Sequence, residues 1–305
     1  MLNSPRSRMM AIVAAGALLI AGMVGAALWN GRISTDPASL LKRLPTQDAA
    51  VVGIDFSALR QGGLLQWLDR NGTPEDPDYL AFVRDTGFDY KRDLESILVS
   101  FAPDGEFFLV KGSFNWPRLE EYVVKQHGSC FDHLCRVAGS TPDRHISFFP
   151  LKHSLMAMAV APDDTAAARL QKLGPQSDID VPHAPVWVTL SSGALRSNHS
   201  LPDETRLFAT AVTDANRISL TAEPAGSEFE VRLDAICRDA QQAGALTMQL
   251  QMLTNMLRDG SKKSTSPDPG GLADLLMNGT FQQTGSHVFG RWPIHKQFLK
   301  NIAAP

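Results

Sequence analysis

The run from Met9 to Trp29, MMAIVAAGALLIAGMVGAALW, constrains where the rest of the chain can fold. Its 21 residues carry no charge and no strong helix breaker. At ~1.5 Å per residue such a helix reaches about 31 Å, the hydrocarbon thickness of a bilayer. Arg6 and Arg8 precede it without a single acid, so the positive-inside rule places residues 1–8 in the cytoplasm as a short tail. Residues 9–29 are then a transmembrane anchor, and everything after them lies beyond the membrane. Arg32, Lys42 and Arg43 on the far side weaken that asymmetry. The rival reading is a cleaved signal segment, with Val24-Gly25-Ala26 as the small-residue site; against it, the apolar run exceeds the usual ~7–15 residues of a signal core. The two readings give a single-pass inner-membrane protein with a periplasmic body, or a secreted body. Ala17, Ala21 and Gly25 recur every four residues and would let two such helices approach closely, the spacing of a homodimer contact. Ala- and Gly-rich anchors also show such stripes by chance.

Without Arg6 and Arg8, 27 of the 29 basic residues stand against 32 acidic ones, a net charge of −5 for the exported body. That balance argues against nucleic acid as a partner and against a polybasic hold on anionic lipid. The body is long enough for one large domain or two small ones.

Residues 30–48 read as a tether with one short helix, capped by Asp36, apolar at Leu40, Leu41 and Leu44, and stopped by Pro45. A strand at 49–54 and a helix from Ser57 follow. Gly87 stops a helix begun near Pro77. Pro103-Asp104-Gly105 between Ile97–Phe101 and Phe107–Val110 is a hairpin turn. Trp116-Pro117 opens a helix to about His127. A Cys-bearing loop, a hairpin over 146–160 and a helix capped by Asp163 complete a first α+β domain, 49–174. Gly174–His183 is rich in Pro and Asp and marks a boundary. The second α+β domain, 184–305, repeats the order: a strand at 186–190, a helix over 201–213, a hairpin over 217–233, a long helix over 235–257. A short helix at 272–276, a strand near 281–289 and a last helix from Pro293 end it. Both parts read strand-helix-hairpin-helix-strand, the order of a ferredoxin-like α/β sandwich with an antiparallel sheet. The fold class is therefore α+β, two such parts after a transmembrane helix.

His127, Cys130, His133 and Cys135 lie within nine residues, and four N/S ligands of this kind can hold zinc in a tetrahedron. Their spacing is poor for a structural zinc site. In an oxidising compartment Cys130 and Cys135 are more simply a disulfide, leaving Cys237 as the odd thiol, suited to burial. Asp89 and Asp93, set among Phe88, Tyr90, Lys91 and Arg92, suggest a carboxylate site or binding edge, but the better reading is structural, with Asp89 capping the short helix 90–95 and Phe88 and Leu94 anchoring it. In the long helix, Ala243, Leu246, Leu250, Leu253 and Leu257 form one stripe and Met248, Met252 and Met256 a second. Core packing is the default for both. The alternative is a flexible Met surface for a partner or an apolar ligand. Gly290-Arg291-Trp292-Pro293 reads as a helix start, in which packing explains Trp292 and Arg291 stays open; both are candidates for binding. There is no G-x-S-x-G elbow, no H-E-x-x-H, no Walker loop and no G-x-G-x-x-G.

LPTQDAAVVGIDFSALR, TGFDYKRDLESILVSF, KGSFNWPRLEEYV and the closing GRWPIHKQFL, behind an N-terminal anchor, resemble uncharacterised bacterial envelope proteins described as domains of unknown function. The resemblance covers most of residues 40–300 and implies a bacterial, exported, anchored protein; it brings no activity and no site residues. The leading expectation is a non-enzymatic envelope binding or scaffold module that meets an envelope protein or ligand in a groove between the two parts, without a cofactor. The alternatives are a periplasmic hydrolase or metal-dependent enzyme built on the His/Cys cluster, and a folding or transport accessory that shields apolar segments on the Met-bearing helix. The accessory reading requires Met248, Met252 and Met256 to be exposed.

Overall fold

A computed structural model describes residues 34–63, 65, 76–141, 143–174, 179–197, 210–225, 228–261 and 276–294. The expected span at 9–29 lies outside these residues, as do most of the expected 201–213 helix, most of the 272–276 helix and the end of the chain. No helix among the described residues is long and apolar enough to cross a membrane.

The chain is mixed α+β and, among the described residues, is dominated by one antiparallel sheet of 12 strands, in the order β11-β12-β10-β9-β8-β1-β2-β3-β7-β6-β5-β4. The first half runs α1 (Pro37–Leu41), β1 (Ala50–Asp55), α2 (Phe56–Gln61), α3 (Pro77–Thr86), α4 (Tyr90–Asp93), β2 (Leu94–Ala102) and β3 (Gly105–Gly112). It continues with α5 (Trp116–Lys125), β4 (Ser129–Phe131), β5 (Leu134–Ala138), β6 (His145–Lys152), β7 (Leu155–Ala161) and a 3₁₀ helix, Ala166–Gln171. The second half runs β8 (Val186–Ser191), α6 (Ser192–Ser197), β9 (Arg217–Ala225), β10 (Glu228–Ile236), α7 (Ala240–Ser261), β11 (Thr280–Thr284) and β12 (His287–Ile294).

The duplication expected from element order is present, with one change. Each half is strand, helix, hairpin, helix, hairpin: β1, α2, β2–β3, α5, β6–β7 against β8, α6, β9–β10, α7, β11–β12. The first half also holds α3, α4 and the hairpin β4–β5; the corresponding stretches of the second half lie largely outside the described residues. Strand order is also the same, β1-β2-β3-β7-β6 against β8-β9-β10-β12-β11. This is not the ferredoxin-like arrangement, which is a split βαβ with its first strand parallel to a neighbour. Here β1 pairs antiparallel with β2 on one side and with β8 on the other. The sheet therefore runs unbroken across the 174–183 boundary, and the seam between the halves is a strand pair, Ala50↔Leu190 through Ile54↔Val186.

Strand side chains alternate, so the sheet has two faces that can be followed across the seam. On the first, Val51, Leu98, Phe107, Leu109, Ala157, Phe149 and Trp187 form a core with Leu40, Leu41 and Leu44 of α1 and its exit, and with Ala166, Ala167 and Leu170 of the 3₁₀ helix. The stretch around α1 is thus part of the core and not a loose tether. Three leucines in five residues, stopped by Pro45, bury more favourably than they dangle. On the second face, α5 covers the first half through Leu119 and Val123 against Val110, Phe148 and Met156. Helix α7 covers the second half there through Ala243, Leu246 and Leu250 against Ile218, Leu233 and Val288.

The region after Gly87 follows its structural reading. Gly87 takes φ 74° as the left-handed stop of α3, and Asp89 caps α4 by accepting from Lys91 N at 3.0 Å. Phe88 stacks on Phe114 with centroids 5.3 Å apart. Asp93 accepts from Asp89 N at 2.9 Å and pairs with Arg92 at 2.8 Å, so both carboxylates are spent on the fold.

Candidate functional site

Gly53 and Trp187 mark the seam. They face each other in the β1–β8 register, and a Cβ on Gly53 would lie 2.2 Å from Trp187 Cε2. The indole therefore lies flat across the strand beside it, 4% exposed, packed with Leu98 and Leu40. Above the seam is an open groove of about 1120 Å³. One wall is the start of α1; the other is the segment 180–185, which crosses the face on its way into β8. The lining mixes Leu40, Leu98, Val181, Pro185 and Trp187 with a rim of charged groups.

That rim is mostly acidic and mostly committed to local structure. Asp36 caps α1, accepting from Ser39 N at 3.0 Å. The Ser34 hydroxyl, followed by Ser39, pulls its carboxyl down to about 2. Asp55 caps α2, accepting from Ala58 N at 2.8 Å. Glu95 pairs with Lys111 at 2.8 Å. Asp180 completes the rim. Ser57, Ser96 and His183 also line the groove. What the groove offers is shape, an apolar floor and a net negative rim, the elements of a binding surface.

On the other side of the 180–182 segment the same sheet face continues over the second half, and there its described side chains on β9, β10 and β12 are half-buried or exposed. Arg217, Thr221, Arg232, Asp234, His287 and Arg291 line a shallow concavity of about 580 Å³. Arg232 pairs with Glu223 and with Glu230, the latter at 2.5 Å, and these raise its pKa. His287 Nδ1 lies 2.9 Å from Asp234, and its ring stacks on Phe289. Arg232–Glu223 and His287–Asp234 join neighbouring strands, while Arg232–Glu230 and His287–Phe289 lie along one strand, as on a solvated antiparallel face.

The sequence-selected residues do not gather at the groove. Cys130 and Cys135 form a disulfide. They sit directly opposite each other in the β4–β5 hairpin, which replaces the expected loop. Asp132 and His133 form its two-residue turn at φ 49° and 63°, both in the left-handed region that Asp and His tolerate better than most residues. His127, at φ 60°, ends α5 in the same conformation, with Gly128 N donating to Val123 O at 2.9 Å. His133 Nδ1 lies 3.2 Å from Glu120 on α5. The disulfide leaves no thiolate for zinc, and no cluster of His, Cys, Asp and Glu able to hold a metal ion occurs among the described residues. Cys237 is buried, and that burial, with Asp239 nearby, pushes its thiol up.

Arg291 and Trp292 are in strand β12 and not at a helix start. Alternation sends them to opposite faces: Trp292 into the core against Phe281, with centroids 5.3 Å apart, and Arg291 onto the open face. Pro293 is tolerated in the strand because β11 pairing ends at Thr280↔Arg291, so no neighbour there needs its missing N–H. Met248, Met252 and Met256 are 67, 57 and 62% exposed, against the default of core packing. The signal was in the spacing: Met252 follows Leu250 by two residues, about 200° around a helix, which is the opposite face.

No family model and no curated protein matches the chain. Three crystal forms of TP0453 match among solved structures, and form III is similar in fold. Form III has a TM-score of 0.51 at 11% identity and covers 88% of this chain and 98% of that one. Form IV has 0.47 at 10%, covering 89% and 98%, and form I has 0.45 at 11%, covering 88% and 97%.

Proposed function

We propose that this chain is a membrane-anchored extracytoplasmic binding or scaffold module whose seat is the groove over the β1–β8 seam. The observation that carries the reading is the groove itself, open and floored by Trp187 and Leu98. Its rim sets Asp36, Asp55, Glu95 and Asp180 against Lys111, so the fitting occupant is an apolar segment flanked by positive charge. The Cys130–Cys135 disulfide fits an oxidising compartment such as the periplasm, and the 9–29 run supplies the anchor. The test is a photoreactive side chain placed in the intact chain at Ala38 or Ala184 on the groove walls, with Val124 on α5 as control. A discrete adduct from both wall positions, lost when Ala58→Trp fills the groove, is the expected result. Labelling equal to that at Val124 would refute the groove.

A second reading, the folding or transport accessory, is favoured by the exposure of Met248, Met252 and Met256, the condition it requires.

A further inference from the structure

The groove over the seam is tied closely to the 9–29 run. Thr35, Asp36 and Ala38 belong to its wall, and six residue steps join Trp29, the last of that run, to Thr35. A chain spans at most ~3.6 Å per residue, so the wall stands within about 22 Å of the end of the run by any path. The tether also meets the described sheet near its middle. Strands β8 and β1 are fifth and sixth in the order of 12. At ~4.8 Å per strand the edges β11 and β4 lie about 20–30 Å to either side. The rim adds a preference of charge. Asp36, Asp55 and Asp180 are exposed and Glu95 is half-buried. Among the described residues only Glu95 of these four has a salt bridge, to Lys111. Asp36 and Asp55 accept backbone N–H groups as helix caps, which leaves their negative charge without a counter-ion.

We infer that the groove works at the membrane surface and that its occupant is a cationic amphipathic segment of a protein lying on the same bilayer. The inference rests on the anchored-groove reading above. Such a segment sets its apolar side on Trp187 and Leu98 and its Lys or Arg side chains against the three uncompensated carboxylates. An anionic lipid headgroup would meet like charge at the rim. An uncharged apolar segment would leave the carboxylates uncompensated. Cationic amphipathic segments collect at bilayer surfaces with their apolar side in the headgroup boundary. A tether this short confines the groove to the same thin layer and so raises the effective concentration of the two partners. A partner that stays in bulk solution would gain nothing from it.

The test uses the full chain in vesicles of phosphatidylcholine with phosphatidylglycerol, and again in detergent. A photoreactive side chain is placed at Ala38, at Ala184 or, as control, at Val124. The probe is an amphipathic peptide of leucine and lysine, compared with its leucine and glutamate counterpart. Adducts from Ala38 and Ala184 with the lysine peptide should exceed those from Val124 in both media. They should fall to the Val124 level with the glutamate peptide, and fall clearly when Asp180→Lys reverses one rim charge. A Gly/Ser insert of about 20 residues between Arg32 and Ile33 adds about 25 Å of root-mean-square reach. On vesicles it should lower the yield about threefold or more, and in detergent, where no bilayer is shared, it should change nothing. Vesicle labelling indifferent to the insert would overturn the membrane-surface site while leaving the groove. Equal labelling by the glutamate peptide would overturn the cationic occupant. Labelling no better than at Val124 in either medium would remove the groove reading itself.

Discussion

The two halves of the sheet share strand order and the helix-covered second face, yet among the described residues the first face is a core in one half and open in the other. In the first half it carries Leu98, Phe107, Leu109 and Phe149, and α1, the 3₁₀ helix and the 179–181 stretch close over it. In the second half the face carries Ser219, Thr221, Arg232, Asp234 and Arg291. The backbone plan is therefore indifferent to whether that face is dry. The choice is made by every second residue of the strands and by the availability of a covering segment. The cover stops at the seam, and its edge is what creates the groove.

The contrast can be broken most forcefully from the covered side. Phe107 is 0% exposed, so Phe107→Ala should cost about 3–5 kcal/mol. The denaturation midpoint of the intact chain would show it. Replacing Cys130 and Cys135 together by alanine should cost about 2 kcal/mol, since the loop closed is short. The loss should appear first as faster proteolysis near β4, at the edge of the sheet. Asp36→Ala, which uncaps the covering helix α1, should cost about 1 kcal/mol. Because the folded carboxyl is depressed to about 2, the Asp36 contribution is present above its ordinary value and is lost as pH falls toward 2. The variant and the parent should therefore converge in stability across that acid window. On the open face Arg291→Ala should change stability by no more than about 0.5 kcal/mol. A loss as large as that of Phe107→Ala would mean that this face is covered after all.

Much of this architecture was legible where local chemistry is unambiguous. Pro103-Asp104-Gly105 gave the hairpin, Gly87 the helix stop, Asp89 and Asp36 the caps, and Cys130 with Cys135 the disulfide. The repeat itself was visible as element order. Strand pairing was not, because β1 joins β2 and β8 through backbone hydrogen bonds that leave no pattern distinguishing one partner from another. The two Trp-Pro dipeptides show how a local signal misleads. Trp116-Pro117 begins α5 because Asn115 caps it, accepting from Arg118 N at 3.3 Å. Trp292-Pro293 has no such cap, and Val288, Gly290, Trp292 and Ile294 are buried at a period of two. The alternation outweighs the proline. The Asp132-His133 turn was missed because it lacks the glycine that usually announces a two-residue hairpin. The groove was out of reach of sequence reading: its lining comes from α1, β1, β2, β8 and the crossing segment, and only the seam brings them together.

Amide hydrogen exchange of the intact chain, read strand by strand, tests the seam most directly. If the halves are fused through β1 and β8, both are central strands and should exchange among the slowest segments, while the sheet edges β4 and β11 exchange first. Fast exchange of β1 and β8, matching β4 and β11, would mean two separate sheets with β1 and β8 as edges, and would remove both the seam and the groove above it.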